Sequence, residues 1–172
     1  MRYAKWILIV VLLTVLTSFM GKDKPTKGLN VGNIAPDFNI ASVAVSRQAS
    51  ELSDFQGKYV LLSFWASYDA TSRMMNTTLN HTLRTSAQSS DVEMVSVSFD
   101  SYRSVFQETI RRDGIGQAVC FVDTEGETSD IYKKYHLQRG FTNYLLDANG
   151  VIVAKNLSAT QLSDLLKHLP HS

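Results

Sequence analysis

Residues 59–73 read YVLLSFWASYDATSR, and this stretch decides the fold. Its first eight residues form an almost unbroken apolar run, entered from Gly57–Lys58 and left through polar residues. A run of that length and composition predicts a strand buried on both faces. From Ala70 to about Thr85 the period changes: Met75, Leu79 and Leu83 recur every four residues, with no glycine or proline among them. That spacing predicts an amphipathic helix. A strand turning directly into a long helix exposes backbone N–H groups where chemistry is often placed. Yet the only cysteine in the chain is Cys120, far from this junction.

Working outward, VEMVSVSF (92–99) predicts the next buried strand, and SYRSVFQETIRR (101–112) a helix with Tyr102, Phe106 and Ile110 as its apolar stripe. Two arginines in its last turn and Asp113–Gly114 after it predict its end. AVCFVD (118–123) reads as a short strand and TSDIYKKYH (128–136) as a short helix. TNYLLDANGVIVAKNL (142–157) reads as two strands joined at Asn149–Gly150, a hairpin signal, and ATQLSDLLKHL (159–169) as a closing helix. Before the first long strand, DFNIASVAV (37–45) alternates as a strand or small hairpin does. The order β–α–β–α, then a hairpin and a helix, predicts an α/β fold: a central mixed sheet flanked by helices on both faces.

The formal charge of the 172-residue chain is +1, and without Arg2 and Lys5 of the leader the balance is 15 basic to 16 acidic residues. So even a balance leaves no electrostatic footprint for nucleic acid. MRYAK followed by WILIVVLLTVL has the layout of a secretory signal, a basic start and then a short apolar core. Residues 1–21 are therefore expected to act as a signal sequence or N-terminal membrane anchor. LTSFMGK is a poor small-x-small match and leaves both forms open. Residues 22–30 read as a linker and residues 31–172 as the folded domain. The basic flank places that domain outside the cytoplasm, in the periplasm or on the cell envelope. One cysteine in an exported chain allows no internal disulfide and no two-thiol cycle.

Together, the element order, VGNIAPDFNI (31–40), LSDFQGKYVLLSFWAS (52–67), YHLQRGFTNYLLDANGVIVAKNL (135–157) and the closing helix resemble the exported thioredoxin-like family of TlpA and ResA type. That family is related to the AhpC/TSA proteins and grades into the peroxiredoxins. The resemblance implies a thioredoxin-like fold and thiol–disulfide oxidoreductase ancestry. It also implies where the chemistry would sit: a Trp-Cys-x-x-Cys motif straight after the strand, and a cis-proline before the Thr of a later strand. Laid on this chain, Tyr68 takes the place of the motif's tryptophan, Asp69 the first cysteine and Ser72 the second. Phe141 takes the place of the cis-proline.

A thiolate at a helix N-terminus is stabilised by exposed N–H groups, attacks a disulfide, and is released by the second thiol. A carboxylate at Asp69 and a hydroxyl at Ser72 do neither. Asp69 does suit the N-cap role, with its carboxylate accepting from the amide of Thr71 or Ser72. A cis bond before a non-proline residue costs about 2.5–4 kcal/mol, so Gly140–Phe141 is expected trans, with the ring over the helix start. Two arrangements of the aromatics follow. Trp65, Tyr68 and Phe141 form a binding patch beside Asp69, or Trp65 floors the core, Tyr68 half-covers it and Phe141 plugs the gap.

Other signals are weaker. Cys120, between apolar neighbours, reads as a buried strand thiol. Asp69, Ser72 and His81 carry the residue types of a hydrolase triad, but nine residues of helix separate Ser72 from His81, beyond side-chain reach. His81, His136, His168 and His171 lack metal-ligand spacing, so neither metal nor cofactor is expected. The Asn-x-Ser/Thr sequons at Asn76, Asn80 and Asn156 are of chance frequency in so Thr-rich a chain. The expected function is that of a non-catalytic binding or scaffold module with a protein or peptide partner in the cell envelope. A redox or cytochrome-maturation component is one candidate partner. The alternative is an oxidoreductase or peroxiredoxin-like antioxidant protein working in cell redox homeostasis through Cys120 or partner thiols.

Overall fold

The computed structural model describes residues 24–39, 51–87, 90–115 and 118–169. The apolar leader, most of the 37–45 segment and His171 lie outside the described residues. Five strands form one sheet: β1 (Tyr59–Trp65), β2 (Val92–Ser98), β3 (Val119–Val122), β4 (Asn143–Leu146) and β5 (Ile152–Lys155). Their spatial order is β3-β2-β1-β4-β5. β1, β2 and β3 run parallel, while β4 is antiparallel to both β1 and β5. Six of the seven residues of β1 are buried, as a central strand covered on both faces requires.

The helices α1 (Ala70–Thr85) and α2 (Arg103–Asp113) connect β1 to β2 and β2 to β3. Both crossovers step the same way across the sheet. Right-handed connection therefore puts both helices on one face. The closing helix α4 (Ala159–Leu166) packs on α1 there, burying Leu79, Leu83, Leu162 and Leu166 against Leu61 and Leu145. The opposite face carries α3 (Asp130–Lys134) and the short 3-10 turns Leu52–Phe55 and Leu137–Arg139. Its core is aromatic: Phe38, Phe64, Phe99, Tyr135 and Tyr144 are all buried, with Phe64 and Tyr135 centroids 4.6 Å apart. Burying side chains of this size is favourable by roughly 1.5–3 kcal/mol each.

Most of the elements read from the sequence are present at close to the expected bounds. α2 ends at Gly114 in the left-handed conformation (φ 66°, ψ 30°), as Asp113–Gly114 predicts. Its stripe differs from the expected one. Tyr102 is the N-cap, outside the helical register and 72% exposed, and Thr109 is buried beside Phe106 instead. Thr26–Asn30, within the segment read as a linker, turns back on the domain. The Ile34 amide donates to the Thr26 carbonyl, the Gly28 amide to the Ile34 carbonyl, and Leu29 rests on the aromatic core. The sequon residues Asn76 and Asn80 are buried in the face of α1 that meets the sheet, so neither is open to modification in the folded chain.

Candidate functional site

At the end of β1 the chain makes a tight turn, with the Asp69 amide donating to the Ala66 carbonyl at 3.2 Å, and enters α1. Asp69 is the N-cap, with extended backbone (φ −96°, ψ 99°). Its Oδ1 accepts the Ser72 amide at 2.7 Å, one of the two bonds expected from the sequence. The Ser72 hydroxyl is buried. It donates to the Asp69 carbonyl at 3.2 Å and accepts the Ala66 amide at 3.4 Å. Asp69 and Ser72 thus satisfy one another and the turn between them.

A second carboxylate fixes the turn from below. Asp100, buried just past β2, accepts the Ser67 amide at 2.9 Å and the Ser67 hydroxyl at 2.6 Å on Oδ1. Its Oδ2 takes the Ser98 hydroxyl at 2.7 Å. Sequence reasoning missed this clamp. Its only linear trace is an aspartate closing an apolar strand, and nothing in that pattern says which loop the carboxylate faces.

Phe141 follows Gly140, whose φ of 119° and ψ of 153° belong to a region that glycine alone occupies readily. No cis peptide is present among the described residues, so the Gly140–Phe141 bond is trans, as expected. The Phe141 ring stacks on Phe99 (5.9 Å, 23°), meets Tyr132 edge-on (6.2 Å, 83°) and lies 6.5 Å from the Tyr68 ring. Tyr68 is 64% exposed, and Phe141 is half-buried. Burial, then the nearby Tyr132, Glu127, Asp100 and Asp69, raise the Tyr68 phenol above its ordinary value. Asp69, Ser72, Met75, Phe141 and Asn143 line a groove of about 280 Å³ beside the start of α1.

The structure therefore brings Tyr68, Asp69, Ser72 and Phe141 to one place and sets Trp65 apart. Trp65 is fully buried on the α1–α2 face, 6.2 Å from Phe106, and its indole N–H donates to the Ser96 hydroxyl at 2.8 Å. Alternation along β1 accounts for this: Trp65 shares its face with Leu61 and Ser63, whereas Phe64 faces Phe99 and Phe141's side of the sheet. Ser96 in turn donates to Asn76 Oδ1 at 3.1 Å, and the Asn76 side-chain nitrogen is buried without a partner.

Cys120 stands on β3, two strands from β1, in register with Ser96. Its thiol is half-buried against Trp65 and Phe106, lies 3.8 Å from the Ile115 carbonyl, and is pushed up to about 12 by burial. At neutral pH it is a thiol, not a thiolate. No cluster of three metal-ligating side chains occurs among the described residues.

A parallel-then-antiparallel sheet of this order, with a long helix springing from its central strand, is the thioredoxin-like architecture, and comparison with known proteins agrees. Residues 31–155 match the model of the AhpC/TSA family, and the chain belongs to that family. It is 30% identical over 148 residues to a thiol-disulfide oxidoreductase ResA of Oceanobacillus iheyensis, covering 85% of this chain and 73% of that one. It is 29% identical over 157 residues to a thioredoxin-like protein YneN of Bacillus subtilis, covering 86% of each. Among solved structures, a thioredoxin-like protein from Parabacteroides distasonis superposes with a TM-score of 0.70 at 36% identity, over 84% of this chain and 99% of that one.

Proposed function

We propose that this chain is a thioredoxin-like binding or scaffold module of the cell envelope that carries no thiol–disulfide cycle of its own. One observation carries the reading. The start of α1, where the resemblance puts a redox pair, is held by the Asp69 cap on Ser72, and the one cysteine of the chain sits two strands away. A carboxylate and a hydroxyl neither form nor resolve a mixed disulfide. Cys120 is a poor substitute, because burial among apolar side chains disfavours its thiolate.

What the junction retains is a surface. Phe141 and Asp69 border an open groove, with the exposed Tyr68 ring 6.5 Å from Phe141, an arrangement suited to a protein or peptide segment with an apolar side chain to bury. Trp65, fully buried against Phe106, makes no part of that surface. The basic and apolar leader supports delivery across the inner membrane, as a periplasmic or membrane-anchored protein. Among the described residues, no helix is long and apolar enough to cross a membrane.

The decisive experiment is insulin or dithiol-reagent turnover by the purified full-length chain. No turnover is expected. Activity that disappears in Cys120→Ala overturns the reading.

A further inference from the structure

Beyond Phe141, on the side away from α1, lies a second and larger depression of about 600 Å³. Its polar lining is one-sided. Lys134, His136, Arg139 and Lys155 all border it, and no aspartate or glutamate does. In a chain whose formal charges nearly cancel, this concentration is local. Among the described residues, neither lysine ammonium group forms an ion pair. Lys134 donates to the Asp37 carbonyl at 2.8 Å, and Lys155 to the Leu29 carbonyl at 3.2 Å and the Asn30 side-chain oxygen at 3.4 Å. All three acceptors are uncharged. The Asp37 carboxylate is itself taken up by the Phe38 and Ser53 amides, at 2.9 and 3.1 Å.

The walls are as informative as the charges. Leu29, Tyr144 and Phe141 supply apolar surface, and Gly140, Phe141, Thr142 and Asn156 border both this depression and the groove at the start of α1. The two cavities thus adjoin at the Phe141 ring and together make up a trough along this side of the domain. At the midpoint of the trough, Gly140 leaves open space: a Cβ built there meets nothing within 4 Å. A peptide backbone can pass close over that residue.

We propose that the trough takes an acidic segment of a partner protein, with its carboxylates at Lys134, Arg139 and Lys155 and an apolar residue against Phe141. The proposal rests on the binding-module reading and names the charge of the ligand. A small anion would satisfy the cations but leave the apolar length of the trough empty. A segment bearing both kinds of side chain matches both.

The test uses the full-length chain and fluorescein-labelled peptides of alternating aspartate and phenylalanine, with lysine–phenylalanine counterparts, read by anisotropy at low and physiological salt. The acidic peptide is expected to bind at least about tenfold more tightly than the basic one, with the preference shrinking as salt rises. Arg139→Glu is expected to abolish the preference, whereas Lys167→Glu, a control at the C-cap of α4 whose partner is Asp164, is expected to leave it unchanged. Lys155→Gln is expected to reduce the preference, and should it loosen the N-terminal turn it holds, the salt dependence of the unaltered chain still decides. Equal binding of both peptides would refute the charge assignment while leaving a binding module in place. Displacement of the acidic peptide by inorganic phosphate at equal concentration would refute the peptide as occupant. Binding of neither peptide would remove the proposal and leave the parent reading to its own test, whereas dithiol turnover lost in Cys120→Ala would remove the parent and the proposal with it.

Discussion

Asp69 Oδ1 and the Ser72 amide nitrogen stand 2.7 Å apart, so the two positions that resemble the family's redox pair are joined by a helix cap. The cap also contributes to stability. Asp69→Ala is expected to destabilise the domain by about 0.5–2 kcal/mol, read as a lower urea midpoint at unchanged slope. Asp69→Asn is expected to lose much less, since an amide oxygen caps nearly as well.

The same geometry predicts what restoring sulfur does. Position 72 faces back on position 69 across the first turn of α1, as the Ser72 hydroxyl contact to the Asp69 carbonyl shows. Asp69→Cys/Ser72→Cys is expected to form one internal disulfide on oxidation, counted by thiol titration, and to gain insulin reduction that the unaltered chain lacks. A disulfide that forms without turnover would locate the obstruction at the Gly140–Phe141 turn.

The fold was open to sequence reading because its signals are local. An eight-residue apolar run, a four-residue recurrence of Met75, Leu79 and Leu83, and Asn149–Gly150 each fix their own element. The Asp69 cap was legible for the same reason, since a cap and its acceptor lie three residues apart. What the sequence hid is long-range. Ser67 and Asp100 are 33 residues apart, and Lys134 and Lys155 meet N-terminal residues 97 and 126 positions away. Trp65 was ambiguous because a strand end places alternate side chains on opposite faces, and linear order does not say which face leads to the cleft.

Asp100 offers a direct measure of that hidden part. Its carboxylate takes two hydroxyls and one amide in a buried setting. Asp100→Ala leaves those donors unsatisfied and is expected to cost about 3 kcal/mol. The loss should be concentrated in faster amide exchange at Ser67 and the start of α1, because the clamp holds that loop. Asp100→Asn keeps an acceptor and is expected to recover part of the loss.

Cys120 tests the electrostatics. Its folded value of about 12 lies above the ordinary 9, so the folded state holds the proton more firmly than the unfolded one. Above pH 9 the unfolded state therefore binds fewer protons, and stability is lost as pH rises from about 9 toward 12, but not below. Comparing Cys120→Ala with the parent isolates this contribution from that of the tyrosines. At pH 8, iodoacetamide is expected to modify the native thiol about a hundredfold more slowly than the unfolded one.

The Gly140 backbone governs where the Phe141 ring sits, and that is separable from the ring's own packing. At φ 119° and ψ 153°, an added methyl meets no neighbour, so Gly140→Ala introduces backbone strain and no clash. It is expected to cost roughly 1–3 kcal/mol, or else to let the turn relax and carry Phe141 off Phe99. Phe141→Leu keeps the glycine and loses the stack, at a cost of about 1 kcal/mol. If Gly140→Ala weakens peptide binding more than Phe141→Leu at equal stability, the trough depends on the close backbone approach at Gly140. The reverse order would assign binding to the aromatic face.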